Sequence, residues 1–158
     1  RDATIQELKK KILQELAIAE YSFERDFLKY AEKAFNYVQS LKRIHLDQVI
    51  YFWLSPKDVF ELQAGDAFDK TLFLCSLLHA GDCKNARIRV IELEGGIKHP
   101  AVTVFYNEKQ CLMDPSQEAS AFTFQGPLDE IFKNYSFEGR KFVRSLYEFN
   151  DVDYLEFE

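Results

Sequence analysis

The sequence predicts an α+β fold in which N-terminal helices and a central buried helix pack on an antiparallel sheet. Three observations carry the prediction. Apolar residues recur at helical spacing through the first forty or so positions, a nearly continuous apolar run follows Asp66, and β-prone runs separated by turn residues extend from Ile88 to Met113.

The elements follow in order. From Thr4 to about Ala19, Ile5, Leu8, Ile12, Leu13, Leu16 and Ile18 form the apolar stripe of an amphipathic helix, with Lys9, Lys10, Lys11 and Gln14 between them. A second helix is predicted from about Phe23 to Leu41, with Phe27, Tyr30, Ala31, Ala34, Phe35 and Val38 on one face and charged residues on the other. After the apolar run Val49–Leu54, Ser55 reads as an N-cap and Pro56 as the first position of a short helix through about Leu62. Gly65 turns the chain into the next helix. Asp66 suits its N-cap, accepting from the backbone N–H near Asp69, and Ala67 becomes its first residue. Leu72, Phe73, Leu74, Cys75, Leu77 and Leu78 make this helix apolar on most sides, and it should stop near Ala80-Gly81.

Three antiparallel strands are predicted to pack on that central helix. Ile88, Val90, Ile91 and Leu93 suggest the first, and Glu94-Gly95-Gly96 supplies a hairpin turn. Ala101–Tyr106 is the second, and Gln110–Met113 is the third, stopped at Asp114-Pro115. Beyond it, Pro127–Tyr135 and Arg140–Phe149 read as helical, and 152–158 reads as an acidic edge strand or a frayed tail.

Composition bounds the function. With 47% hydrophobic and 15% aromatic residues, including fifteen Phe and eight Tyr, the 158 residues can fill the core of one compact domain. A net charge of -6 without a long basic run argues against nucleic acid and anionic membranes as partners. Three irregularly spaced cysteines, Cys75, Cys83 and Cys111, fit reduced thiols and hence a cytoplasmic location. No apolar segment is long enough to span a bilayer, and the N-terminus is charged and helical rather than signal-like. The start at Arg1 instead of Met suggests that upstream residues were removed or left out.

The chemistry comes from placement. The first turn of a buried helix stabilises negative charge, so position 67 suits a thiolate, yet Ala67 stands there. A thiolate needs a base, and His99, leading into the second strand, can lean over the helix start. The imidazole needs an acceptor for its other nitrogen. Asp114, at the end of the third strand, supplies one if the hairpin pairs in register.

Taken together, Gly65-Asp66-Ala67, His99-Pro100-Ala101-Val102-Thr103-Val104 and Leu112-Met113-Asp114-Pro115 resemble the transglutaminase-like superfamily. Its core carries Gly-Asp-Cys or Gly-x-Cys at a helix start, then a His at a strand start, then Asp-Pro. The resemblance covers roughly residues 22–116, with the helix 4–19 before it and an unmatched extension over 117–158. It implies a papain-like Cys-His-Asp fold used for peptide hydrolysis, amide hydrolysis or acyl transfer to an amine, with a protein or peptide substrate; no cofactor or metal is expected from the residues. In this chain position 67 would be the nucleophile, His99 the general base and acid, and Asp114 the group that orients the imidazole. Ala67 departs from the pattern, as does Pro100 after the histidine. The alanine is either an engineered replacement or the residue of a naturally inactive relative, and the retained His99 and Asp114 favour the former.

Plainer readings stand beside these. His99 alone could be a strand-edge residue, Asp114 an Asp-Pro turn former, and Asp66 and Asp69 caps whose charge opposes a thiolate. Cys75, His79 and Cys83 are spaced four apart, as helical metal ligands could be, but Gly81 should end the helix and a fourth ligand is missing. No clustered acidic loop supports calcium binding. Cys75 and Cys111 read as inert core thiols, and Trp53 as core or as a cover for the cleft. The alternative function is a non-catalytic domain that binds protein partners through the cleft or the exposed face of helix 4–19.

Overall fold

A computed structural model describes residues 2–43 and 55–157. The Val49–Leu54 run and Trp53 lie outside the described residues. Helix α1 spans Ala3–Glu15, with the Asp2 side chain accepting from the N–H groups of Thr4 and Ile5. It stops short of the predicted Ala19. Ala17 adopts a left-handed φ of 56°, its N–H bonds Gln14 O, and the N–H of Ile18 reaches back to Leu13 O. This is a Schellman ending on alanine, so the glycine that usually announces it is missing from the sequence. Helix α2 (Phe23–Ser40) buries the predicted face, and α3 (Pro56–Leu62) carries the predicted Ser55 cap, closed reciprocally by Asp58.

Helix α4 (Ala67–Ala80) is the central buried helix. Asp66 accepts from the N–H of Asp69 at 2.7 Å, and the Asp69 carboxylate accepts from the N–H of Asp66 at 3.1 Å, a reciprocal capping box. That closure explains Gly65, since a Cβ there would stand 2.9 Å from Asp69 Cβ. At the other end a Cβ on Gly81 would meet the Tyr30 ring at 2.3 Å, so glycine lets α2 and α4 approach. The Tyr30 hydroxyl then donates to Leu77 O and the Tyr21 hydroxyl to Gly81 O, both at 2.6 Å. Both phenols are held well above their ordinary pKa, by burial first.

The sheet is larger than the three strands predicted. Strands β1 (Lys42–Arg43) and β2 (Ala64–Gly65) form a short parallel pair just before α4. The main sheet has seven strands among the described residues: β3 (Arg87–Leu93), β4 (Ile97–Tyr106), β5 (Lys109–Met113), β6 (Phe124–Gln125), β7 (Ser136–Phe137), β8 (Arg140–Phe149) and β9 (Tyr154–Glu156). Their order is β6-β5-β4-β3-β8-β7, with β9 on β8. Helix α5 (Leu128–Lys133) is the shorter form of the helix predicted over Pro127–Tyr135.

The prediction of a helix over Arg140–Phe149 fails. The segment is β8, antiparallel to β3, and its register slips twice. Val90 pairs with Tyr147 and Ile91 with Ser145, then Glu92 pairs with Arg144 and Leu93 with Phe142. Leu146 and Val143 are thus extra residues, and such bulges break the strict alternation that identifies a strand in sequence. Phe142, Val143, Leu146 and Tyr147 consequently match a helical spacing by default. At the end of the chain, the edge-strand reading of 152–158 holds as β9.

The sheet separates two apolar layers. One joins α1, α2 and α4 to Ile88, Val90, Val102, Val104, Cys111 and Met113. The other is smaller and joins Ile91, Leu93, Ala101 and Leu112 to Ile131, Phe132, Tyr135 and Phe137.

Candidate active site

His99 and Asp114 meet in the smaller layer. Strand β4 begins at Ile97, two residues earlier than His99, so the histidine lies within the strand opposite Ile91. The β-prone run that identifies the strand in sequence starts only at Ala101. Val102 pairs with Met113 at the end of β5, which carries Asp114 to the same side of the sheet as His99. His99 Nε2 and Asp114 Oδ2 are 2.8 Å apart, and both side chains are buried. Because a carboxylate accepts, Nε2 carries the proton and Nδ1 is the nitrogen left as a base.

Asp114 has further donors. The Tyr135 hydroxyl donates to Oδ2 at 2.5 Å, the Gln117 amide donates to Oδ2 at 3.3 Å, and the Ser116 N–H donates to Oδ1 at 2.9 Å. Burial alone would raise the Asp114 pKa, but the hydrogen bond and charge of His99, then Tyr135 and Ser116, outweigh it and hold the carboxyl below its usual range. Gln117 also donates to Ser136 O, while Gln39 of α2 donates to the carbonyls of Gln117 and Ala119. The loop behind Asp114 is therefore tied to both α2 and β7.

The other side of His99 is aromatic. Phe137 stacks on the imidazole with ring centres 4.0 Å apart, and the Arg43 guanidinium lies 4.6 Å from the centre of the Phe137 ring. Arg43 forms an ion pair with Glu138 and stands opposite Gly65 in the β1–β2 pair. These contacts link the histidine to the start of α4, where Ala67 is the first, half-buried residue and its carbonyl accepts from Thr71 Oγ1. Lys70, one turn further, donates to Gln39 O and Leu41 O. Its pKa is lowered by burial and by Arg43, against the opposing charge of Asp114. The structure thus joins His99 directly to Asp114, and from His99 the contacts of Phe137 and Arg43 run to Gly65 of the β1–β2 pair.

Sequence reasoning missed Tyr135, Gln117, Phe137 and Arg43. Gln117, Tyr135 and Phe137 belong to the extension over 117–158, which the family resemblance does not cover. Arg43 sits in a two-residue strand too short to show periodicity. The helical cysteine spacing does not assemble a metal site. Cys75 Sγ lies 3.9 Å from His79 Nε2, but that nitrogen is 2.8 Å from Ala86 O, and the Cys83 thiol turns to Asn85. Among the described residues no group of three or more His, Cys, Asp or Glu could hold a metal ion. Burial pushes the Cys75 and Cys83 thiols up to about 12 and about 11 and raises that of Cys111 as well. Among the described residues no helix is long and apolar enough to cross a membrane.

No protein-family model matches the sequence, and neither does any curated protein. Solved structures do match. Calcium-bound LapG from Legionella pneumophila is 14% identical, with a TM-score of 0.60 over 96% of this chain and 85% of that one. A second LapG structure gives a TM-score of 0.61 at 14% identity, over 82% of this chain and 68% of that one. A candidate cysteine protease from Cytophaga hutchinsonii is also 14% identical, with a TM-score of 0.51 over 89% of this chain and 42% of that longer one. At such identity the likeness concerns the fold, which is the transglutaminase-like, cysteine-protease-like arrangement of helices on a curled antiparallel sheet.

Proposed function

We propose that this fold serves a thiol-dependent hydrolase or acyltransferase acting on protein or peptide substrates, with the nucleophile position occupied here by Ala67. The observation that carries the reading is the buried His99–Asp114 pair, with Nδ1 left as the base. In the thiol-bearing form, Nδ1 would take the proton of a cysteine at position 67, and the sulfur would attack a substrate carbonyl carbon. The imidazolium would return the proton to the leaving amine as the C–N bond breaks, giving a thioester. Water or a second amine would then release the acyl group, with His99 acting again as base. Asp114 would hold the Nε2–H tautomer throughout. The chain with Ala67 is inert in this chemistry. The substitution itself favours a second reading, in which the same cleft binds protein partners without turnover.

The test is Ala67→Cys incubated with a defined peptide pool, with and without an added primary amine, and analysed by mass spectrometry. Cleaved or amine-bearing peptides that vanish when His99→Ala is added support the enzyme. Peptides retained unchanged on both proteins support the binding domain.

A further inference from the structure

Asp114 Oδ2 is shared. His99 Nε2 approaches it at 2.8 Å and the Tyr135 hydroxyl at 2.5 Å, with the Gln117 amide at 3.3 Å, while Oδ1 takes the Ser116 N–H. A buried tyrosine hydroxyl needs some acceptor, and a carboxylate would satisfy it whatever its function. What separates Tyr135 from that ordinary case is the choice of oxygen: it shares the one that holds the imidazole. Hydrogen bonds to one oxygen compete for the same negative charge, so each additional donor weakens the oxygen as an acceptor for the others.

We infer that Tyr135 is a positioning residue that sets the basicity of His99, by drawing on the Asp114 oxygen to which the imidazole is bonded. Its phenol is held far above its ordinary pKa, by burial first and then by the Asp114 charge, so it stays a donor wherever the protein is folded. The Phe124 and Phe132 rings flank the Tyr135 ring edge-on, fixing it at the end of α5. The other charged groups around His99 come from different elements. Arg43 of β1 and Glu138 beyond β7 act across Phe137, and Lys70 of α4 lies on the side of Asp114. On β3 the neighbour is the neutral Ile91. None of these donates to Asp114 Oδ2 among the described residues, so Tyr135 can be altered separately from them. The consequence for the reaction is a histidine that gives up its proton to a leaving group more readily than a plain His-Asp pair would allow. That consequence rests on the catalytic reading above, whereas its test does not.

The test uses the Ala67 protein with 15N-labelled histidine, in parent and Tyr135→Phe forms, and records the Nε2–H proton resonance of His99 and the pH at which its ring titrates. Without the competing hydroxyl, the resonance should move downfield and the titration to higher pH, in a protein whose amide spectrum remains native. Site-specific 3-fluorotyrosine at position 135, a more acidic phenol in the same place, should shift both readouts the opposite way, and it decides the matter if Tyr135→Phe does not fold. Unchanged His99 signals in the folded variant, or shifts of the same sign in both, would overturn the inference. Shifts as expected combined with an inactive Ala67→Cys protein would overturn the catalytic reading instead.

Discussion

The two faces of the sheet bury similar residue types for different ends. On the face of α1, α2 and α4, the hydroxyls of buried Tyr30 and half-buried Tyr21 donate to backbone carbonyls, and close approach is secured by Gly81. On the α5 face, the buried Tyr135 hydroxyl donates to a carboxylate that also holds a histidine. A tyrosine bonded to a carbonyl locks one helix to another. A tyrosine bonded to a charged, shared oxygen changes how that oxygen treats its other partner. The larger face is therefore a scaffold, and the smaller one holds the groups able to move a proton.

The largest effect should come from breaking the scaffold. Leu77→Ala empties a fully buried position on α4 and should cost about 2–5 kcal/mol in chemical denaturation, leaving the His99–Asp114 pair bonded in whatever protein remains folded. Next is Asp114→Asn, which leaves the shape but removes the charge and should cost about 1–3 kcal/mol at neutral pH. The effect depends on pH. The folded pKa of Asp114 is depressed, so its stabilisation is fully present above the ordinary aspartate value of about 3.9 and is lost as pH falls through the lower folded value. Denaturation of parent and variant across that window should show the difference between them closing. Gly65→Ala strains the capping box of α4 and should cost roughly 1 kcal/mol, visible as a lower melting temperature. Smallest of all, Arg144→Gln removes an ion pair with Glu92 whose arginine is largely exposed, and its melting temperature should stay nearly at the parent value.

Legibility divides along the chain in a similar way. The stripe of α2, the capping box at Asp66 and Asp69, and the Asp114-Pro115 stop are local features, so the sequence displays them directly. The pairing of His99 with Asp114 was expected on condition that the hairpin paired in register, and the two side chains are bonded. Segments whose structure depends on distant partners were not legible. Strand β8 is shaped by two slips against β3, α1 ends on a left-handed alanine, and Arg43 gains its place from a two-residue pairing with Gly65. Tyr135 looked like the end of a helix, because nothing near it in sequence announces a carboxylate twenty-one residues upstream.

That the start of α4 and His99 form one reactive unit can be tested by alkylation of Ala67→Cys with iodoacetamide across pH, alone and combined with His99→Ala. The buried Cys75, Cys83 and Cys111 should react slowly in both proteins. The introduced thiol should react fast at neutral pH, with a midpoint well below about 8.5, and lose that advantage without His99. An introduced thiol that titrates near the ordinary value in both proteins would contradict that unit.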